Sequence, residues 1–198
     1  MKLQPGDGGV QILFAPEEAG VLKQLVHQLI LLLESHSSMP LDADPLFASL
    51  EIGGTEETPD DPALARLLPD AFSDPDDAAG FRRVTEQGLI NRKLQDALRV
   101  IAELSISPSE VTVASEDDDY LNDGVSVAVN ITAESLPTWA RTVTALRLAM
   151  AARIGLEREA DHDRLIDEEA TRGTVLVYDW LAALLEAVLA LGDAVDED

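Results

Sequence analysis

The sequence predicts a mainly α fold of the α+β kind, a helical bundle with a small β element. Apolar residues recur every three or four positions through several long stretches, the period of a helix with one buried face. Proline and aspartate stand together where such stretches begin, as helix starts favour. Alternating apolar patterns are confined to an N-terminal run and a mid-chain pair of runs, the second read as a β-hairpin. The chain has 198 residues and 46% hydrophobic residues, enough for one domain with a sizeable core. No linker or internal repeat divides it, so a single domain over 1–198 is expected. Aromatics are only 4%, so Leu, Val, Ile and Ala must supply that core.

The elements follow in chain order. Gly8 and Gly9 precede a strand over 10–14. Pro16 then suits a first helical position, with Glu17 and Glu18 at the positive end of the helix dipole. Val21, Leu22, Leu25, Val26, Leu29, Ile30 and Leu33 give that helix its stripe. A polar loop follows over 35–44, a turn over 45–50 and a second loop over 53–61.

The stretch "ETPDDPALARLLPDAF" carries three prolines and three aspartates around a short apolar run. Asp61 is placed to cap a helix that starts at Pro62, and Pro69 stops it. Asp74 and Pro75 repeat the device, with Asp76 and Asp77 complementing the dipole. The punctuation therefore sets two helix starts and a fixed elbow, with Leu64, Leu67, Leu68 and Phe72 expected on the core. A long helix over 75–104 is expected to bury Phe81, Val84, Ile90, Leu94, Ala97, Leu98, Ile101 and Leu104. Gly88 would permit a bend or a close helix contact.

Strands are expected over 111–113 and 125–131, joined through the turn signal Asp123-Gly124 and flanked by a mobile acidic loop near 114–124. A helix then begins near Ser135 with Pro137 in its first turn, and Trp139, Val143, Leu146, Met150 and Ile154 form its stripe. The charged stretch 157–172 reads as a second mobile acidic loop, partly helical. The last helix, over 174–191, is apolar on most sides, which marks a central helix or one shared with a second subunit. The tail 192–198 is expected to fray.

Composition removes several function classes. The formal charge is −24 at pH 7, from 38 acidic and 14 basic residues. Direct nucleic-acid binding and adhesion to anionic membranes both rely on clustered Lys and Arg, so neither is expected. A basic partner is favoured instead. There is no cysteine, hence no disulfide, thiolate metal site or Cys nucleophile in this chain. The N-terminal "MKLQPGDGGVQ" lacks the apolar core of a signal peptide, and a clean apolar run such as 29–33 is too short to span a bilayer. A cytoplasmic protein is expected.

No residue set nominates an enzyme. His27, His36 and His162 are far apart and fit no zinc-ligand spacing. EF-hand loops counted from Asp74 or Asp119 fail at the third, fifth or twelfth positions. GxGxxG, P-loop and GxSxG patterns are absent. No catalytic residue, cofactor or metal is therefore expected; a hydrolase or metal enzyme would require histidines and carboxylates brought together by the fold. Met39 and Met150 are the candidates for oxidation.

The scarce basic residues are the more informative set. Arg66, Arg82, Arg83, Arg92, Lys93 and Arg99 fall on the elbow and the long helix. They either hold helix to helix through ion pairs or line a groove for an anion or acidic partner. Arg66 is expected to reach a carboxylate across the elbow. Arg147 stands beside an apolar stripe and is expected to pair with Asp179. Trp139 and Trp180 are core or interface anchors, and the apolar surplus around Trp180 hints at a homodimer or a docked partner.

The pieces "GGVQILF", "DPALARLLPDAFSDPDDAAGFRRVTE", "LRLAMAARIGL" and "VYDWLAALLEAVL" resemble, in this order and over nearly the whole chain, the actinobacterial domain-of-unknown-function family two-thousand-and-seventeen, the AosR-like proteins. The resemblance implies a regulator of the oxidative-stress response that works through a sigma factor and gene expression. As a second reading it implies an adaptor in regulated ATP-dependent proteolysis, on gene context alone, since the family's genes neighbour those of a protease adaptor and a metalloprotease. Two features depart from the pattern: the absence of cysteines, which thiol redox sensing requires, and an enlarged segment over 107–130.

Overall fold

The computed structural model describes residues 1–6, 9–37, 54–106 and 126–195, with 191–195 and Pro5 described by backbone alone. The expected strand at 111–113, the turn at 123–124, the acidic loop near 114–124, the turn over 45–50, most of the loop over 35–44 and Met39 lie outside these residues.

The fold is mainly helical with a small antiparallel sheet, as the sequence predicts. Strands β1 (Lys2–Gly6), β2 (Gly9–Phe14) and β3 (Val127–Thr132) lie in that order. Leu3 faces Ile12 across the first ladder, and Ile12 faces Val129 across the second. β1 was not expected. Pro5 and Gly6 hide it in the sequence, yet an edge strand tolerates proline because one side of it needs no N–H donor. β3 is the strand expected over 125–131, and its described partner is the N-terminal β2. Ile12, Phe14, Val129 and Ile131 turn one face of the sheet onto the helical core.

Helix α1 (Pro16–His36) buries Ala19, Leu22, Val26, Leu29, Ile30 and Leu33. Val21, expected on that stripe, is exposed, and Leu25 is half-buried. Both elbow helices start as predicted. Asp61 Oδ1 accepts from the N–H groups of Ala63 (2.8 Å) and Leu64 (3.2 Å) at the head of α2 (Pro62–Leu67). Asp74 Oδ1 accepts from those of Asp76 (3.0 Å) and Asp77 (3.2 Å) at the head of α3 (Pro75–Ile106). A capping carboxylate of this kind contributes about 1 kcal/mol.

The buried side of α3 differs from the expected stripe. Phe81, Val84 and Leu98 are exposed, while Arg82, Glu86, Ile90, Leu94, Ala97, Val100 and Leu104 are buried. In its first turns the helix covers a charged network rather than aliphatic core, so apolar periodicity points to the wrong face there. Phe72 is likewise half exposed, edge-on to Phe81 with ring centroids 5.5 Å apart, instead of anchoring in the core. The helix runs unbroken through Gly88, where an added Cβ would meet nothing within 4 Å. Gly88 makes no close helix contact.

Helix α4 (Leu136–Ile154) is the hub, packed against α1, α2, α3 and the last helix. Trp139, Val143 and Leu146 are buried in it; Met150 and Ile154 are half-buried. It ends at Gly155, whose φ of 69° is the left-handed cap that glycine adopts without a Cβ clash.

The connector expected as a loop over 157–172 is helical for most of its length. It comprises α5 (Glu159–Asp167) and the first turn of α6 (Glu169–Val195). Asp161 makes the start of α5 possible by accepting from the backbone N–H groups of Glu157 (3.2 Å) and Arg158 (2.9 Å), and buried Leu165 anchors it. α6 also runs into the tail expected to fray. It is buried on one face, through Val175, Leu181, Leu184 and Val188, with Leu176 and Leu189 exposed. The all-round apolar character read from the sequence is thus a one-sided packing face. By length and composition alone α6 could cross a membrane, over Glu169–Ala190 with mean hydropathy 1.6, a property shared by core helices of globular proteins.

Candidate functional site

The arginines sort into two kinds of environment. Arg82 is 5% exposed and holds the elbow together. Its Nη1 donates to the Leu68 carbonyl (3.2 Å) and to Glu86 Oε2 (3.1 Å). Its Nη2 donates to Asp70 Oδ1 and, at 3.4 Å, to Thr58 Oγ1. Glu86, also buried, accepts from the Thr55 N–H and hydroxyl, both at 3.3 Å. His36 Nε2 lies 3.3 Å from Glu86 Oε1, at ion-pair distance but without hydrogen-bond alignment. Two buried charges so bonded tie the segment before α2, the elbow and α3 into one unit, with His36 of α1 beside them.

The other predicted arginines on α3 are peripheral. Arg83 reaches Glu56 at 3.4 Å on the surface. Arg92 is exposed and has no carboxylate partner among the described residues. Sequence reasoning missed the stronger pair on this helix. Arg141 Nε and Nη2 bind Asp96 Oδ2 and Oδ1 at 2.7 and 2.8 Å, a bidentate fork from α4 to α3. The hydrogen bond to Asp96 raises the Arg141 pKa further above its usual range. Burial lowers that of Lys93, with nearby Asp96 opposing.

The second environment is a cleft of about 570 Å³ where α2, α4, α5 and α6 meet. Arg66, Arg147 and Arg158 line it together with Tyr178 and His162. Neither expected arginine pair forms among the described residues. Two carboxylates at the elbow are taken by other arginines: Arg153 Nη2 binds Asp61 Oδ2 at 2.7 Å, and Arg82 binds Asp70. Arg66 therefore faces the cleft. Arg147 does not reach Asp179; its guanidinium lies over the Tyr178 ring, 4.5 Å from the centroid. Asp179 instead faces His162 Nε2, with both oxygens at 3.0 Å. Adjacent residues on a helix diverge by about 100°, so α6 presents Tyr178 and Asp179 to different neighbours. Arg147 Nε is buried without a hydrogen-bond partner among the described residues.

The tryptophans lie inward. Trp139 is fully buried and its Nε1 donates to Glu103 Oε2 at 2.6 Å. Trp180 is half-buried, edge-on to Phe14 with ring centroids 6.5 Å apart. The exposed aromatic surface lies instead at the elbow, where Phe72 and Phe81 touch and Val84 follows one turn on.

The histidines are not gathered: His27 is exposed, His36 faces Glu86 and His162 faces Asp179. Among the described residues no three His, Asp or Glu side chains are placed to hold a metal ion.

The chain matches the model of a family described as a domain of unknown function, DUF2017, over residues 1–191. A Mycobacterium leprae protein named for the oxidative stress regulator AosR is 32% identical, across 89% of this chain and 80% of its own length. Proteins named oxidative stress regulator AosR in Mycobacterium bovis and Mycobacterium tuberculosis are each 30% identical, across 87% of this chain and 77% of their own. No solved structure matches the chain.

Proposed function

The chain belongs to the DUF2017 family, and from that membership we propose that it is a non-enzymatic regulatory protein of the stress response that acts by binding another protein in the cytoplasm. The observation that carries this reading is the similarity, over most of their length, to relatives named oxidative stress regulators. The elbow supports it. Phe72, Phe81 and Val84 are 50%, 42% and 57% exposed, beside a buried charged network that fixes their backbone. Aromatics held rigidly at a surface are the usual anchors of protein interfaces. A net charge of −24 favours a partner with a basic face. The absence of cysteine means that any response to oxidants runs without thiol chemistry in this chain.

A sigma factor is the first partner to test. The tagged protein and a Phe81→Ala/Val84→Ala variant would each be recovered from native cytoplasm, with companions identified by mass spectrometry. A sigma factor or RNA polymerase enriched with the parent chain and lost with the variant is the expected result. Protease components in their place would make the chain an adaptor for proteolysis. Equal recovery by both proteins would move the docking surface away from the elbow, and recovery of no partner would overturn the reading.

A further inference from the structure

Arg66, Arg147 and Arg158, like Arg92, bind no carboxylate among the described residues, but these three share one cavity where α2, α4, α5 and α6 meet. Of the arginines after α3, Arg141, Arg153, Arg164 and Arg172 each hold carboxylates or carbonyls of the chain. Arg147 and Arg158 hold none among the described residues, nor does Arg66, although acidic residues outnumber basic ones 38 to 14. Three cations left without carboxylates, in a chain with such an excess of acid, converge on one cavity from three different elements.

Arg147 is the best placed of them. The Tyr178 ring covers one face of its guanidinium, which leaves the in-plane N–H groups free to bind an oxyanion. Its Nε–H is buried without a hydrogen-bond acceptor among the described residues. Arg66 and Arg158 are exposed at the cleft and extend the donor set.

We propose that this cleft binds a small organic anion through a single phosphate or carboxylate group seated on Arg147, Arg66 and Arg158. The cavity volume, about 570 Å³, lies in the range of small-molecule sites. Glu157, Glu159 and Asp163 line the same cleft, so a polyanion such as a nucleic acid or a strongly acidic peptide would meet repulsion there. Those carboxylates instead suit hydroxyl or amino donors on the remainder of the molecule. This site shares no residue with the elbow patch, and the proposal does not depend on the regulatory reading.

The test is calorimetric titration of the full chain at low ionic strength with adenosine monophosphate, inorganic phosphate, succinate and a Glu-rich peptide. Arg66→Gln and Arg158→Gln serve as variants because both side chains are exposed. Saturable one-to-one binding of at least one small anion is expected, weakened about tenfold by each variant, as the loss of one charge-assisted hydrogen bond implies. Phosphates binding more tightly than succinate would identify a phosphate site, and the reverse a carboxylate site. No saturable binding of any small anion, affinities unchanged in both variants, or binding of the peptide alone would each overturn the proposal.

Discussion

The elbow and the cleft each use arginine, and they use it oppositely. Arg82 is 5% exposed with donors directed at Leu68, Glu86, Asp70 and Thr58, whereas the cleft arginines have no carboxylate of their own among the described residues. A buried charge is tolerated only when it is fully bonded, so the elbow network has to be complete for the fold to hold. Arg66 and Arg158 are exposed at the cleft and keep much of their hydration, so the fold depends little on their partners. The contrast separates a structural cation from cations free to meet a ligand, a distinction that residue type alone does not make.

The sharpest way to break this comparison is at Arg82. Arg82→Ala would leave Glu86 buried without its cation and is expected to cost about 3–5 kcal/mol. A denaturant melt of the variant would show it, and a loss below about 1 kcal/mol would mean that the network is not what holds the elbow.

Asp61 joins the two regions. One oxygen caps α2, which carries Arg66, and the other binds Arg153 at 2.7 Å. Asp61→Ala is expected to cost about 1–2 kcal/mol, most of it from the cap, since the Arg153 pair is exposed. The companion Arg153→Gln separates the two, and it should cost under about 1 kcal/mol in the same melt.

At the cleft the expectation reverses. Arg66→Gln and Arg158→Gln should each melt within about 0.5 kcal/mol of the parent chain. Destabilisation well beyond that would make these arginines structural after all and erase the contrast.

The smallest expected effect is one of pH, at the lip of the cleft. The Asp161 carboxyl is held below its ordinary value of 3.8. The Arg158 backbone N–H lowers it most; burial opposes, and the Glu157 N–H and the Arg164 guanidinium lower it further. A carboxyl depressed on folding stabilises the fold fully above its unfolded value, and that contribution is lost as pH falls through the folded value. Asp161→Asn should therefore differ from the parent in helix content near neutral pH, and the two should converge as pH falls through the depressed folded value of Asp161. A constant difference across that range would assign the α5 cap to something other than the charge.

Local chemistry was legible wherever it acts within a few residues. Asp61-Pro62 and Asp74-Pro75 set helix starts because a cap needs only its own next turn. Gly155 was not read as a stop, although a glycine after the last apolar turn is a signal the sequence carries. The Asp-Gly pair at positions 7 and 8 is likewise a hairpin signal that the sequence carries.

What the sequence determined by itself was the helical class, the elbow, the stripes of α1 and α4, and the absence of thiol chemistry. All follow from periodicity, caps and composition, which are properties of neighbouring residues. Only the tertiary structure decided that β3 pairs with β2 from more than a hundred residues away, that α3 turns Arg82 rather than Phe81 inward, and that Arg147 lies on Tyr178 rather than against Asp179. In a chain with 38 acidic residues any arginine has many possible partners. Which one it meets is set by the packing of whole helices around α4, and no local pattern encodes that choice.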